Sequence, residues 1–393
     1  MVNKTFASNP ASVSAWVSAF AGLAALAVAI GIGRFAFTPI LPMMQEDFGL
    51  SVSEAGWLAS ANYTGYLVGA LSAIGTRVRS AVAIRAGLLV VGLSTLAMGL
   101  EHPFTLWVVL RAMAGTASAW VLVFVSTWAL ERLALLGRSE LSGTVYAGVG
   151  TGIVIAGGAC LVVASLHARS ADAWLSLGVI SIAVTAVIWP LVKTSPSGIP
   201  IPVPTTPASG TWSAEHRRLV LCYGAFGFGY IIPATFLPAM AKQIIPDPQL
   251  FGWAWPVFGA AAVISTVFAA QLKRFPSDRA VWIGGHLVMA LGVVIPLIVG
   301  ELSGIMMAAL LVGGTFMVIT MAGMQDARAV AGPHARALMA AMTSAFALGQ
   351  ILGPVFVSLL VQSTGGFAPA LALAASVLAL SAISLQRKET GRE

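Results

Sequence analysis

The sequence predicts an all-α membrane protein with twelve transmembrane helices in two parallel six-helix repeats. Composition, an internal repeat and the placement of lysine and arginine predict this fold. Of the 393 residues, 58% are hydrophobic and 9% are charged, whereas about 25% are charged in soluble domains. With a mean hydropathy of +0.91, most of the surface must face lipid. Backbone groups in lipid must pair within the segment, and the apolar runs lack the alternation of a barrel, so helices are expected.

An internal repeat divides the chain into two similar units. Residues 31–44 align with residues 227–240 without a gap, and the same offset aligns Arg132 with Arg328. The shared residues in the first alignment are Gly31 and Gly227, Gly33 and Gly229, Leu41 and Leu237, Pro42 and Pro238, and Met44 and Met240. Matches that keep one offset over about a hundred residues indicate two copies of one unit.

Apolar runs of about 20 residues, the length that crosses a bilayer core as helix, recur along the chain. The predicted spans are 13–38, 54–75, 82–100, 104–129, 142–164, 173–193, 218–240, 250–271, 280–300, 303–325, 337–361 and 367–386. A proline-rich segment, 194–216, separates spans six and seven and is expected to be an extended linker. The predicted units are therefore an N-terminal half, 1–193, and a C-terminal half, 217–393.

Lysine and arginine lie almost entirely in one set of loops. That set holds Lys4, Arg77, Arg79, Arg85, Arg132, Arg138, Lys193, Arg217, Arg218, Lys273, Arg274, Arg279, Arg328, Arg336, Arg387, Lys388 and Arg392. The other set holds only Arg169 and Lys242. The positive-inside rule predicts that both termini and the linker are cytoplasmic. Because each half has an even number of spans, both halves enter from the same side, which makes the repeat parallel.

Several other classes of protein are disfavoured. The net charge of +7 follows from the basic loops, so we expect no nucleic-acid partner. The first span is too long for a signal peptide and more spans follow it. Cys160 and Cys222 lie within apolar runs and are expected to be core residues, with no disulfide, metal or cofactor. The partners expected are a lipid bilayer and a small-molecule solute, and the chain is expected to be a monomer in the inner membrane.

Local motifs resemble those of the major facilitator superfamily. Span four contains Leu110-Arg111-Ala112-Met113-Ala114-Gly115, and span one contains Gly31-Ile32-Gly33-Arg34-Phe35 followed by Thr38-Pro39 and Leu41-Pro42. With twelve spans and a central linker, the chain resembles a transporter of this superfamily, in the YbfB/YjiJ-like bacterial branch, over nearly its full length. The segment Gly75-Thr76-Arg77-Val78-Arg79 lacks the acid usual after span two. The resemblance implies the fold, a transport role and a central cavity lined by spans one, four, seven and ten.

Arg34 and Arg111 lie inside predicted spans, and the spans contain no mid-span Asp or Glu. A central arginine costs about 2.5–3.5 kcal/mol on insertion scales and is usually functional. Two arginines without acids favour a carboxylate or phosphate ligand, which a guanidinium can clamp with two bonds. The alternatives are structural: Arg34 reaches the interface or pairs with Glu54, and Arg111 hydrogen-bonds to carbonyls or helix ends.

Further polar and aromatic residues within the spans are candidates for the cavity wall. They are Asn62, Tyr63, Tyr66, Tyr146, Tyr230, Trp253, Trp255, Gln325 and Gln350. For a tryptophan near an outer helix end, such as Trp253, the alternative is a place in the interfacial belt. A second set at the inner helix ends is a candidate cytoplasmic gate: Arg77, Arg79, Glu131, Arg132, Asp326 and Arg328. In this interpretation the acids pair with Arg77, Arg79 or Arg274. The alternative is solvated helix-end charge, because exposed pairs contribute only about 0–1 kcal/mol.

The predicted function is secondary active transport of a small organic solute, with an anion favoured and an ion, such as the proton, as coupling partner. His286 is the one histidine within a span and is expected to be a core residue; Glu54, Glu131 and Asp326 are the other titratable candidates. Drug or metabolite efflux is an alternative, although span five lacks the proline of drug antiporters. A non-transporting sensor is another. An enzyme is disfavoured because no His-Asp, Cys-His or paired-carboxylate set is present.

Overall fold

The computed structural model describes residues 10–100, 103–192, 212–244, 248–271, 277–299, 301–364 and 368–386. Within these ranges every regular element is a helix, which confirms the all-α prediction. Eight stretches of the described chain are long and apolar enough to cross a membrane: 14–48, 80–97, 104–135, 139–165, 170–188, 278–298, 306–357 and 368–386. The chain is therefore a multi-pass membrane protein. The finer count of twelve spans stays a prediction.

The N-terminal half contains seven of the α-helices in the described part of the chain. They are α1 (Pro10–Leu26), α2 (Phe37–Phe48), α3 (Val52–Gly75), α4 (Ser80–Ala97), α5 (Phe104–Leu135), α6 (Ser142–Ser165) and α7 (Ser170–Ile188). The helix α3 begins with a capping box, in which Ser51 and Glu54 satisfy each other's backbone N–H groups. The side chain of Glu54 is therefore part of the N-terminal cap of α3.

The C-terminal half contains the remaining helices of the described chain. They are α8 (Ala214–Ile244), α9 (Pro248–Gln271), α10 (Asp278–Ile298), α11 (Glu301–Ala331), α12 (Ala335–Thr364) and α13 (Ala368–Gln386). Of the predicted linker 194–216, residues 194–211 lie outside the described residues, and α8 already begins within its last residues.

The first predicted span is a broken helix. After α1 the chain forms a π-helical segment, Ala27–Ile32, and a turn before α2 begins. In this segment the Gly33 N–H donates to the Val28 carbonyl, five residues back, at 2.9 Å. The irregular segment lies before Pro39 and Pro42, so neither proline lies within it. Such π-helical segments frequently occur at functional sites.

The helices of the two halves pack in the same plan. In the N-terminal half α1 packs on α6, α3 on α5, and α4 on both α5 and α7. In the C-terminal half α8 packs on α12, α9 on α11, and α10 on both α11 and α13. Each of these C-terminal pairs thus corresponds to one of the N-terminal pairs. The halves meet where α3 packs on α12 and where α6 packs on α9.

Glycines allow the closest of these contacts. On α6, a Cβ atom added at Gly148 would lie 2.0 Å from the Leu23 carbonyl oxygen, and one at Gly152 would lie 2.2 Å from the Ala27 carbonyl oxygen. On α12, Gly349 faces α8, since a Cβ there would lie 2.4 Å from the Gly224 carbonyl oxygen. This agrees with the tight packing expected for small residues four apart.

We expect Gly148→Ala to destabilise the protein by about 1–3 kcal/mol, because α1 and α6 must move apart to admit the methyl group. The matched control is Gly158→Ala on the same helix, where an added Cβ meets nothing within 4 Å. Melting temperatures of the two purified variants test this prediction. Equal melting temperatures would show that the approach of α1 to α6 does not limit stability.

Candidate functional site

Arg34 lies in the break of the first span, between the π-helical segment and α2. Its side chain is buried, with 5% of the residue exposed. The Nη2 group donates a hydrogen bond to Oε1 of Gln350 on α12. Because Gln350 is also fully buried, this bond joins the two halves in the interior of the bundle.

Aromatic rings from both halves surround the guanidinium of Arg34. Its Cζ atom lies 4.1 Å from the ring centre of Tyr66 and 5.4 Å from that of Tyr63, both on α3. The rings of Phe35 and Phe346 lie at 5.7 and 5.9 Å. A cation within about 6 Å of an aromatic face is attracted to it. These contacts offset part of the cost of burying the charge.

No acid neutralises this charge within the described chain. The ion pairs found there are Arg138–Glu140, Arg218–Glu215, Arg279–Glu215 and Arg279–Asp326. The proposed strut between Arg34 and Glu54 is not formed, because Glu54 accepts hydrogen bonds from Ser51 at the start of α3. Arg34 is therefore a buried cation held by a neutral amide and by aromatic rings.

Arg111, the second buried arginine, has a different environment. On α5, it donates from Nη1 to the Gly33 carbonyl at 3.3 Å and from Nη2 to the Arg34 carbonyl at 3.4 Å. Asn62 donates in turn to the Arg111 carbonyl at 3.0 Å. A broken helix leaves carbonyls without regular partners, and buried carbonyls require donors. The two terminal nitrogens of Arg111 therefore hold the broken segment, while its Nε has no hydrogen-bond partner in the described chain. These bonds favour the structural alternative, and a role in binding the solute stays a prediction.

The aromatic cluster continues into the C-terminal half. Tyr230, the counterpart of Arg34 in the repeat, is fully buried on α8. Its ring stacks on Phe316 of α11 at 5.3 Å and lies 6.3 Å from Phe346. Phe316 in turn lies 6.2 Å from Phe35. Ring contacts thus connect the two halves beside Arg34.

Trp255 lies at the edge of this cluster. It stacks on Phe258 of α9 at 5.4 Å and lies 6.3 Å from Phe35. Trp253, by contrast, is 59% exposed. Of these two tryptophans, the structure brings only Trp255 to the site.

Two predicted cavity residues lie elsewhere. Tyr146 is fully buried and donates to Ser126 at 2.8 Å, so it fastens α6 to α5. Gln325 donates to Ser142 at 3.1 Å, which joins α11 to the start of α6. Both side chains have structural partners and neither contacts Arg34 in the described structure. We therefore do not include them in the candidate site.

The predicted gate residues form separate contacts. Arg77 and Arg79, in the α3–α4 connection, are exposed. The contact between halves at this connection is made by Arg336 at the start of α12, which donates to the Val78 carbonyl and the Ser80 hydroxyl, both at 3.4 Å. The acids were expected to pair with Arg77, Arg79 or Arg274, and Arg274 lies outside the described residues.

Asp326 pairs instead with Arg279 of α10 at 2.8 Å, within the C-terminal half. Arg132 donates to Ser14 at 3.5 Å, within the N-terminal half. Glu131 is half-buried, and Arg328 lines a cleft of about 140 Å³ that Gln325 also lines. These contacts mostly hold each half together, and the gating role stays a prediction.

His286 lies in the interior of the C-terminal half. It is fully buried on α10, and its Nδ1 donates to the Trp282 carbonyl at 3.1 Å. Its ring lies 6.0 Å from that of Phe226 on α8. This is the environment of a core histidine. Phe226 lies 4.9 Å from Phe346, so one ring lies between His286 and the cluster around Arg34.

Sequence reasoning missed the phenylalanines of the site. Phe316 and Phe346 occupy mid-helix positions that resemble any other core residue, so hydropathy gives no signal for them. The repeat offers one hint. Tyr230 stands at the position equivalent to Arg34, so residues that pack on Tyr230 would be expected to lie close to Arg34. Arg336 was also missed as a contact between the halves.

The comparisons agree with this architecture. The profile of a family described as "Uncharacterised MFS-type transporter YbfB" matches residues 26–386. No curated protein matches the chain. The match begins at the last residue of α1 and covers the helices from α2 to α13, including Arg34, Arg111 and Gln350. The chain therefore belongs to this family of transporters of the major facilitator superfamily.

Proposed function

We propose that the protein is a secondary active transporter that moves a small organic anion across the cytoplasmic membrane by alternating access. The observation that carries this proposal is the buried guanidinium of Arg34, which lies between the halves and has no acidic partner in the described chain. A buried charge is costly unless it is paired. An anionic solute would supply the missing charge at the point where the halves meet.

The architecture that we propose has twelve spans in two parallel six-helix halves, with cytoplasmic termini. The equivalent packing of α1 to α7 and α8 to α13 supports the two repeats. The bias of lysine and arginine toward one set of loops supports the orientation. In this arrangement α1 with α2, α5, α8 and α11 would line the central cavity.

Alternating access requires contacts between the halves that can be exchanged. The bond between Arg34 and Gln350 joins a cationic donor to a neutral amide acceptor. A carboxylate is a stronger acceptor for a guanidinium than an amide, because the bond is assisted by both charges. We infer that a solute anion displaces the Gln350 oxygen and so loosens this contact between the halves.

Ion coupling follows from the charge of the solute. Uptake of an anion against a negative interior costs about 2.3 kcal/mol per charge for each 100 mV. Cotransport of a cation offsets this cost, and the proton is the candidate that we propose. Two acids near helix ends could carry the proton: Glu131, which is half-buried, and Asp326, which is buried.

The proposal is tested by a thermal-shift screen of the purified protein against anionic, neutral and cationic metabolites of matched size. A ligand at 100 times its dissociation constant stabilises the folded state by about 2.7 kcal/mol. We expect anions to raise the melting temperature and their neutral amides to leave it unchanged. Stabilisation by cations alone would overturn the proposal.

Counterflow in proteoliposomes then tests transport itself. Exchange of a labelled anion that stabilises the protein is the expected result. Stabilisation without any exchange would favour a sensor that binds the anion but does not transport it. Exchange of structurally unrelated cations would favour the efflux alternative.

A further inference from the structure

The rings around Arg34 form a closed circuit of contacts. From the guanidinium the circuit passes to Phe35 at 5.7 Å, to Phe316 at 6.2 Å and to Tyr230 at 5.3 Å. It returns through Phe346, which lies 6.3 Å from Tyr230 and 5.9 Å from the guanidinium. One ring comes from the N-terminal half and three come from the C-terminal half. Because Tyr66 and Tyr63 also lie at 4.1 and 5.4 Å, the guanidinium has mainly aromatic neighbours.

Unused hydrogen-bond donors lie in the same place. Within the described chain, Nε of Arg34, Nε2 of Gln350 and the hydroxyl of Tyr230 are buried and have no hydrogen-bond partner. The two nitrogens can only donate. A buried donor without a partner costs about 1–3 kcal/mol. A ligand that suits this site therefore brings acceptor oxygens to these donors.

One guanidinium, that of Arg34, lies among the rings of the proposed site. The terminal nitrogens of Arg111 donate to the carbonyls of Gly33 and Arg34, and its guanidinium lies over Phe37 instead. A second carboxylate on a ligand would therefore lie against buried ring faces with no cation in contact with it, which is costly. This favours a monocarboxylate over a phosphate monoester or a dicarboxylate.

The contacts between the halves show which shape can replace them. At this level the contacts between the halves include the bond from Arg34 to Gln350 and the edge-to-face contact of Phe35 with Phe316. A carboxylate can replace the amide oxygen as acceptor, and a planar ring of the solute can replace the contact between the two phenyl rings when the halves separate. An aromatic pair contributes about 0.5–1.5 kcal/mol beyond its buried area. An aliphatic chain would bury apolar area but would lack this additional aromatic contribution.

We propose that the solute is an aromatic monocarboxylate, whose carboxylate binds Arg34 and whose ring lies among Phe35, Phe316, Tyr230 and Phe346. This inference rests on the proposed function, namely anion transport, and names the chemical class of the anion. The ring contacts decide between aromatic and aliphatic carboxylates, whereas Arg34 decides between anions and neutral molecules.

The test is a binding series on the purified full-length protein. The probes are benzoate, cyclohexanecarboxylate, hexanoate, benzamide and terephthalate, with affinities measured by calorimetry. We expect benzoate to bind about two- to twelvefold more tightly than cyclohexanecarboxylate, which has the same charge and similar size. We also expect benzamide and terephthalate to bind more weakly than benzoate.

A variant series checks that the preference arises at these rings. In Phe316→Leu the ratio of benzoate affinity to cyclohexanecarboxylate affinity should fall toward one. In Trp57→Leu, at a position that is 64% exposed, the ratio should stay as in the unaltered protein. Because the ratio is taken within one variant, a general loss of stability does not imitate this result.

The outcomes separate the two proposals. Equal binding of benzoate and cyclohexanecarboxylate, or tighter binding of terephthalate, would overturn the aromatic monocarboxylate and leave anion transport intact. Binding of benzamide as tightly as benzoate would contradict the role of the charge and so both proposals. If none of the five probes binds while another class of anion stabilises the protein, the inference about the ring is wrong and the proposed function stands.

Discussion

Arg34→Gln is expected to abolish transport of the solute anion while the protein stays folded. The substitution removes the cation but keeps a polar side chain near Gln350. Hydrogen bonds to charged groups contribute about 1.5–3 kcal/mol, so the affinity for the anion should fall about 10- to 150-fold. Because the buried charge has no acidic partner in the described chain, its removal should leave the melting temperature unchanged or raise it.

The measurements are anion affinity, counterflow and melting temperature for this variant. Arg34→Lys is the matched control, since it keeps the charge and loses the planar guanidinium. We expect it to retain part of the binding and to transport slowly. Normal counterflow by Arg34→Gln would show that Arg34 does not bind the solute.

Arg111→Ala, unlike Arg34→Gln, is expected to cause a large loss of stability. It leaves the Gly33 and Arg34 carbonyls without the donors seen in the structure. Each unsatisfied buried acceptor costs about 1–3 kcal/mol, so the total loss should be about 2–6 kcal/mol. The side chain also packs on Phe37, with Cζ 4.7 Å from the ring centre, and this contact is lost as well.

Melting temperature and the yield of folded protein measure this effect. Arg111→Lys should restore stability only in part, because one ammonium group lacks the fork that reaches two carbonyls. If Arg111→Ala were as stable as the unaltered protein but failed to bind anions, Arg111 would be a ligand for the solute and its assignment as a support would be wrong.

The sequence was sufficient for the fold class because composition determines it. A chain that is 58% hydrophobic and 9% charged can satisfy its backbone in lipid only as helices or a closed barrel, and the period of its residues excludes the barrel. The offset between Gly31 and Gly227 predicted two copies of one unit, and the equivalent helix contacts agree with that prediction. The π-helical segment before Arg34 could not be predicted, because it depends on packing of α1 against α6.

The sequence indicated those site residues whose charge is unusual within a membrane span. Arg34 and Arg111 stand out because arginine is rare within a span, yet sequence alone could not show that one is supported by aromatic rings and the other is bound to carbonyls. Phe316 and Phe346 gave no signal, since phenylalanine is common in any apolar helix. Sequence alone could not show that Tyr146 bonds to Ser126 and Gln325 to Ser142, because such partners depend on how each helix is rotated about its axis.

The central claim is that a solute anion binds Arg34 in place of the Gln350 oxygen. The most direct measurement is the shift in melting temperature that benzoate, or the anion found by the screen, produces in Gln350→Glu. This substitution places a permanent carboxylate beside Arg34, which should occupy the guanidinium as the solute would. Gln325→Glu, at the glutamine bonded to Ser142, is the matched control.

The account predicts that the anion no longer raises the melting temperature of Gln350→Glu, whereas it still raises that of Gln325→Glu by the amount seen in the unaltered protein. An undiminished shift in Gln350→Glu would contradict the account, because the anion would then bind without the guanidinium of Arg34.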